Sequence, residues 1–177
     1  MTIIEDLITH LQIRLAAVDD LSELEWGGEL SHFRKLYAEA YRLMQSGDVL
    51  MWVATLPGVG IVGQLFVHMY HTNSSDEDAD PSAYIYGFRV RPQFRGRGIG
   101  SQLLLKAENE LIQRGFKRIT LNVARDNQAA RRLYERFGYQ VVAAEPGIWS
   151  YIDDKGIRQH VTEPAWRMQK KIDLASE

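Results

Sequence analysis

Arg95-Gly96-Arg97-Gly98-Ile99-Gly100-Ser101 sets two cations among three glycines at alternate positions. Glycine lets the backbone turn through positive φ and lets a bulky anion approach main-chain N–H groups with no side chain in between. The turn stands between a predicted strand end and a predicted helix start, where unpaired amides and the helix dipole favour negative charge. The guanidinium groups of Arg95 and Arg97 add charge complementarity. Phosphate is the ligand chemistry indicated. Two common nucleotide loops are excluded by spacing. GxxxxGK[ST] needs a lysine that does not follow these glycines, and GxGxxG needs a third glycine where Ser101 stands. The turn also lies mid-chain, after strands of antiparallel type, where a dinucleotide fold would place it early.

The elements that must hold this turn can be read from periodicity. Tyr84–Val90 is a β-branched and aromatic run that Arg91-Pro92 ends. Leu103, Leu104, Ala107 and Leu111 predict an amphipathic helix over Gly98–Arg114, stopped by Gly115. Lys117–Ala124 alternates as a strand, and Asp126 or Asn127 caps a short helix reaching Phe137 before Gly138. Strand, helix and strand in this order predict a parallel pair. Upstream, a strand is expected at Leu11–Val18, a helix at Leu21–Trp26 capped by Asp19 or Asp20, and a helix at Ser31–Gln45. Strands at Val49–Thr55 and Ile61–Tyr70 meet through Pro57-Gly58. Asn73–Pro81 reads as an acidic hairpin loop. The tail predicts a strand at Ile148–Ile152, a turn at Asp153–Gly156 and a last strand at Trp166–Lys171.

A chain of 177 residues, 45% hydrophobic and 25% charged, suits one globular domain spanning residues 1–177. No apolar run approaches the roughly 18 residues that cross a bilayer, and the first ten residues carry acids where a signal peptide carries bases, so a cytoplasmic address is expected. The absence of cysteine excludes acyl transfer through an enzyme thioester. The five histidines show no HExxH or paired spacing, so no metal site is expected. Net charge is -2 but unevenly spread: Gly87–Gln140 holds twelve Lys and Arg against four Asp and Glu, and the remainder nine against nineteen. One half suits a polyanion and the other a cation.

The turn resembles the signature of the Gcn5-related N-acetyltransferase (GNAT) family: Gln or Arg, two residues, Gly, one residue, then Gly or Ala. Arg95, Gly98 and Gly100 match it. The resemblance extends through Val90-Arg91-Pro92 before the turn and the run from Asn127 to Tyr139 after it, covering Tyr84–Val142 at the level of motifs. It implies an α+β, acyl-CoA N-acyltransferase fold, with a twisted mixed sheet splayed between the Tyr84–Val90 and Lys117–Ala124 strands and helices on both faces. It implies acetyl-CoA as cofactor. The main chain at Phe88, Arg89 and Val90 would pair with the pantetheine amides, and the amides of Arg95, Gly96, Arg97, Gly98, Ile99, Gly100 and Ser101 would take the pyrophosphate. Asn127 and Tyr134 would line the far side of the thioester, and Ala130, one helical turn before Tyr134, would leave room for the cofactor.

Direct transfer to an amine needs a neutral nucleophile, a polarised carbonyl and a proton for the departing thiolate. Tyr134 is the candidate acid, since a phenol is protonated at neutral pH. Many relatives carry a glutamate on the strand entering the turn; here Tyr84, Tyr86 and Arg89 stand there with no acid. Glu25, Glu29, His32 or Glu163 could receive the proton through water, or the amine could arrive neutral. Trp26, Trp149, Trp166 and Tyr86 could wall an acceptor pocket, with Glu29 in contact with the substrate. The expected partner is a small-molecule or peptide amine, with a homodimer left open and neither nucleic acid nor membrane involved. Alternatives are a catalytically silent CoA-binding module and a protein N-terminal acetyltransferase. A basic nucleic-acid binder is disfavoured by the lack of any RNP or helix-turn-helix signature.

Overall fold

The computed structural model describes residues 2–71 and 80–172. Most of the acidic stretch expected as a hairpin loop, residues 73–79, lies outside the described residues. Nine strands are described: β1 (Gln12–Leu15), β2 (Val49–Leu56), β3 (Gly60–Tyr70), β4 (Ser82–Val90), β5 (Arg118–Ala124), β6 (Gln140–Glu145), β7 (Ile148–Ile152), β8 (Arg158–Thr162) and β9 (Ala165–Lys171). Five helices accompany them: α1 (Ile3–Ile8), α2 (Asp20–Glu23), α3 (Arg34–Gln45), α4 (Ile99–Gln113) and α5 (Gln128–Arg136).

Seven strands form one mixed sheet in the order β1-β2-β3-β4-β5-β9-β6, and β7 and β8 form a separate hairpin. Val49–Leu56 is apolar almost throughout because both faces of the sheet are covered. On one face α4 buries Leu103, Leu104, Ala107 and Leu111 against the sheet, the stripe its periodicity predicted, and Ile99 joins them. On the other, Phe33 and Tyr37 from α3 and its approach pack with Leu24, Met51, Ile61 and Phe66. The β4–β5 pair is parallel, as the strand-helix-strand order predicted.

That parallel pair makes the site. It is in register only from Ser82↔Arg118 to Ile85↔Leu121. Beyond Leu121, β5 continues with β9 alone, pairing Asn122↔Arg167, Val123↔Trp166 and Ala124↔Ala165. From Tyr86 onward β4 continues with β3 alone. The cause is a bulge. Gln64 pairs with Arg89 and Phe66 with Tyr86, so Leu65 opposes both Gly87 and Phe88. Gly87 sits at φ 58°, and a Cβ there would lie 2.8 Å from Cδ2 of the buried Phe66. Gln64, itself fully buried, locks the bulge by donating from Nε2 to the Gly87 carbonyl (3.1 Å) and to the Tyr37 hydroxyl (3.3 Å). The extra residue bends β4 away from β5, and beyond Ile85 and Leu121 the two strand edges face one another without pairing.

Three elements were not anticipated. α1 is a single capped helix: Thr2 Oγ1 accepts from the Glu5 amide while the Glu5 carboxylate accepts from the Thr2 amide. That Thr-x-x-Glu box was the available signal. β6 lies at the sheet edge with mostly exposed side chains, and β8 reads RQHVT, so neither shows the alternation that marks a strand. Asp20 is not a side-chain cap for α2. Its carboxylate instead accepts from both Arg14 guanidinium nitrogens (2.6 and 2.9 Å) and from the Ala17 amide (2.7 Å), tying β1 to α2.

Candidate active site

Where β4 and β5 part, a cavity of about 610 Å3 opens. Its floor is Tyr84, Tyr86, Phe88 and Arg89 from β4 with Leu121, Asn122 and Val123 from β5. α5 contributes Ala130 and Tyr134, with Asn127 at its cap, while Phe33, Leu36 and Tyr37 close the opposite side. Glu145, Gly147, Ile148, Trp149 and Glu163 complete the wall from the ends of β6, β7 and β8.

The phosphate turn follows β4. Pro92–Phe94 forms a single 3-10 turn anchored by buried Phe94, and Arg95 Nε donates to the Val90 carbonyl (2.9 Å), so this guanidinium braces the strand end. Gly96 and Gly98 take φ of 72° and 82°, and a Cβ at either would meet nothing within 4 Å. Gly98 is the N-cap of α4, whose first intrahelical bond runs from the Gln102 amide to the Gly98 carbonyl. No acceptor among the described residues takes a hydrogen bond from the amides of Gly96 to Ser101. Gly100 differs from its neighbours. It lies inside α4 without a positive φ, and a Cβ there would meet Leu133 and Phe88 at 3.6 Å, ordinary van der Waals contact, so neither backbone nor packing demands glycine at this position. The Arg97 Nε is buried without a partner. Free amides, open space and two arginines at a helix start fit a diphosphate. The β4 edge from Tyr86 to Val90, which β5 leaves uncovered, fits an extended amide-bearing chain.

Tyr134 is 7% exposed, with its ring 6.1 Å from Phe88 and 5.9 Å from Tyr139. Burial pushes its phenol far above the ordinary tyrosine range, and the nearby Tyr84 adds to the shift. It is held as a neutral donor beside the cleft. Asn127, whose Oδ1 accepts from the Ala130 amide (3.1 Å), caps α5 and fixes the turn on which Tyr134 rides. Tyr86 is likewise pushed up to about 12 by burial, with Tyr70 and Tyr84 adding to it.

The residues proposed from sequence for acceptor and base divide. Tyr86, Trp149 and Glu163 line the cavity. Trp26 does not: it packs under Arg91, whose Cζ lies 5.6 Å from its ring, beside a separate shallow depression. Trp166 lies beneath Arg125 and Arg131 instead. Glu29 ends the 3-10 turn Trp26–Gly28 and is outside the cavity lining. Glu25 is held in a bidentate pair by Arg34. His32 packs on Phe33 and Tyr151 at the rim. Sequence reasoning missed Glu145, at the end of β6, which lines the cavity while Arg167 Nη2 holds its carboxylate at 2.6 Å. It also missed Gln64, whose role appears only once β3 and β4 are in register.

A family model described as the acetyltransferase (GNAT) family matches residues 15–139. The chain belongs to that family. Its splayed strands, phosphate turn and α5 all fall within the matched span. Among curated proteins, it is 32% identical over 90 residues to the Bacillus subtilis (strain 168) protein named uncharacterized N-acetyltransferase YycN. That match covers 51% of this chain and 54% of the relative, so the chain spans about half the length of the curated relative it matches. Among the solved structures that share the fold are two acetyltransferases. One is the ribosomal-protein-S18-alanine N-acetyltransferase of Escherichia coli, 22% identical at a TM-score of 0.67, with 94% of this chain and 97% of that one covered. The other is Arabidopsis thaliana NAA60 in complex with acetyl-CoA, 17% identical at a TM-score of 0.70, with 92% and 98% covered.

Proposed function

We propose that this protein transfers the acetyl group of acetyl-CoA directly to a primary amine of a small molecule or peptide. The observation that carries the reading is the parting of β4 from β5 behind Ile85 and Leu121, with a glycine- and arginine-rich turn leading from β4 into the N-terminus of α4 and a neutral phenol on α5 alongside. Acetyl-CoA, when bound, supplies an activated acetyl group whose C–S bond is replaced by a C–N bond to the amine, coenzyme A leaving as its thiol.

The amides of Gly96 to Ser101 and the guanidinium of Arg97 hold the diphosphate, and the free edge of β4 from Phe88 to Val90 aligns the pantetheine arm. The Tyr134 phenol donates to the sulfur as charge develops there, the role for which burial keeps it protonated. Glu163 receives the amine proton through water. It lines the cavity and takes part in no ion pair among the described residues, whereas Glu145 is engaged by Arg167.

The test is thiol release from acetyl-CoA across a panel of amines, together with Tyr134→Phe and Glu163→Gln. Tyr134→Phe should lower kcat by roughly 10- to 1000-fold with little change in acetyl-CoA affinity. Unchanged turnover removes Tyr134 from the mechanism. Glu163→Gln should flatten the acid limb of the pH–rate profile. Binding of acetyl-CoA with no thiol release on any amine would favour the catalytically silent module instead.

A further inference from the structure

The acceptor side of the cavity contains a cation with no counterion among the described residues. Arg89 follows the Gly87 bulge, which resets the alternation so that its side chain stands on the α3 face with Tyr86 while Phe88 turns toward α5. Its Cζ lies 4.9 Å from the centre of the Phe33 ring, and its guanidinium neighbours the Tyr37 hydroxyl. The Nε atom is buried and has no hydrogen-bond partner. Among the described residues no ion pair involves Arg89. Of the two carboxylates lining the same cavity, Glu145 is already held by Arg167.

A guanidinium partly withdrawn from water and flanked by aromatic rings is a strong, directional site for one kind of group, a carboxylate taken by parallel N–H donors. Burial without an anion is costly, so a ligand that brings the anion gains more here than it would at an exposed arginine. Resting on the transfer reading above, we propose that the acceptor carries a carboxylate close to its amine, and that the Arg89 side chain binds it. The acceptor class is then an amino acid, or a peptide with a free carboxylate near the reacting nitrogen. Its amine lies toward Glu163 and its carboxylate toward Phe33 and Tyr37. One residue divides its duties: the Arg89 main chain lies on the edge offered to the cofactor, and the side chain faces the acceptor.

The experiment uses matched pairs of acceptors, free amino acids and dipeptides against their carboxamides, with wild type, Arg89→Gln and Arg89→Lys. Wild type should favour the carboxylate member in kcat/KM. Arg89→Gln should reduce that preference by about 10- to 100-fold, and Arg89→Lys should retain part of it, since it keeps the charge and loses the fork. Binding is read in parallel, as the shift in Tm of the CoA-bound protein with N-acetyl amino acids against N-acetyl amino acid amides. That arm answers independently of turnover. A carboxylate-dependent Tm shift lost in Arg89→Gln, with no acetyl transfer, upholds the Arg89 site and sinks the transfer reading. Equal treatment of both members by wild type in both arms overturns the Arg89 proposal. So does a variant that changes both members alike, the mark of Arg89 merely bracing Phe33, or one that raises only the KM for acetyl-CoA. If Arg89→Gln does not fold, Arg89→Lys alone decides: an unaltered carboxylate preference with the fork removed overturns the proposal.

Discussion

Replacing Gly87 by alanine isolates the device that opens the cleft. Two costs can be separated. At φ 58° an L-residue is left-handed, which costs about 1–2 kcal/mol. The added Cβ would also stand 2.8 Å from Cδ2 of Phe66, a fully buried ring held edge-on between Tyr37 and Tyr86, with centroids 5.6 Å away on each side. A ring so confined has no free direction, and overpacking of this kind costs about 1–3 kcal/mol. The sum is about 2–5 kcal/mol, or a fall in Tm of roughly 4–20 °C for a chain of this size. Gly58→Ala is the control: its φ is 72° but nothing lies within 4 Å, so only the backbone cost of about 1–2 kcal/mol applies. Function should suffer beyond stability. The chain can relieve the clash by straightening β4, and a slip of one residue would turn Phe88 and Arg89 to the opposite faces. Urea unfolding of both variants gives the stabilities, and calorimetric titration with acetyl-CoA at a temperature where each is folded gives affinity, expected to fall at least about tenfold for Gly87→Ala alone. Equal stability losses at positions 87 and 58, with cofactor affinity unchanged, would refute the reasoning, because the Phe66 contact and the bulge would then constrain nothing.

Gly98→Ala should cost about 1–2 kcal/mol for its left-handed φ, since its surroundings are open. It should weaken acetyl-CoA disproportionately, because the methyl would occupy space left for the diphosphate; titration with the cofactor checks this, and unchanged affinity would move the anion elsewhere. Asp20→Ala should destabilise by about 2 kcal/mol through loss of its charged hydrogen bonds to Arg14, measured as a urea midpoint. Those hydrogen bonds hold the Asp20 carboxyl below its usual range, so its contribution is complete above the unfolded value near 3.9 and disappears as pH falls through the folded one. Alkaline behaviour runs the other way. Burial raises Tyr86 to about 12 and Tyr134 and Tyr139 above the ordinary range, so the unfolded chain loses these protons first. Stability is whole below about pH 10 and declines as pH rises above it, and tyrosinate absorbance of the buried rings should appear together with loss of circular dichroism. Titration of all eight tyrosines with the fold intact would contradict this.

The parts of the site legible in sequence were those built from neighbours along the chain. The turn from Arg95 to Ser101 is one, because glycine's access to positive φ and the helix start that follows it are local properties of that segment. The buried stripe of α4 and the parallel strands on either side of it are another, since periodicity and the length of the crossover declare them. Tyr134 belongs with them, carried by a helix whose Gly138 stop could be read directly and whose cap was narrowed to Asp126 or Asn127, the structure deciding for Asn127. What remained hidden depends on register between distant segments. No local pattern says that Leu65 faces two residues of β4, that Gln64 braces the bulge against Tyr37, or that Arg89 thereby turns toward Phe33. Likewise only the pairing of β6 with β9 brings Glu145 to the cavity, and only packing under Arg91 takes Trp26 away from it. Backbone conformation and helical phase are set over a few residues by sterics and side-chain spacing, whereas a cleft arises where two edges fail to pair, and that failure exists only once the sheet has formed.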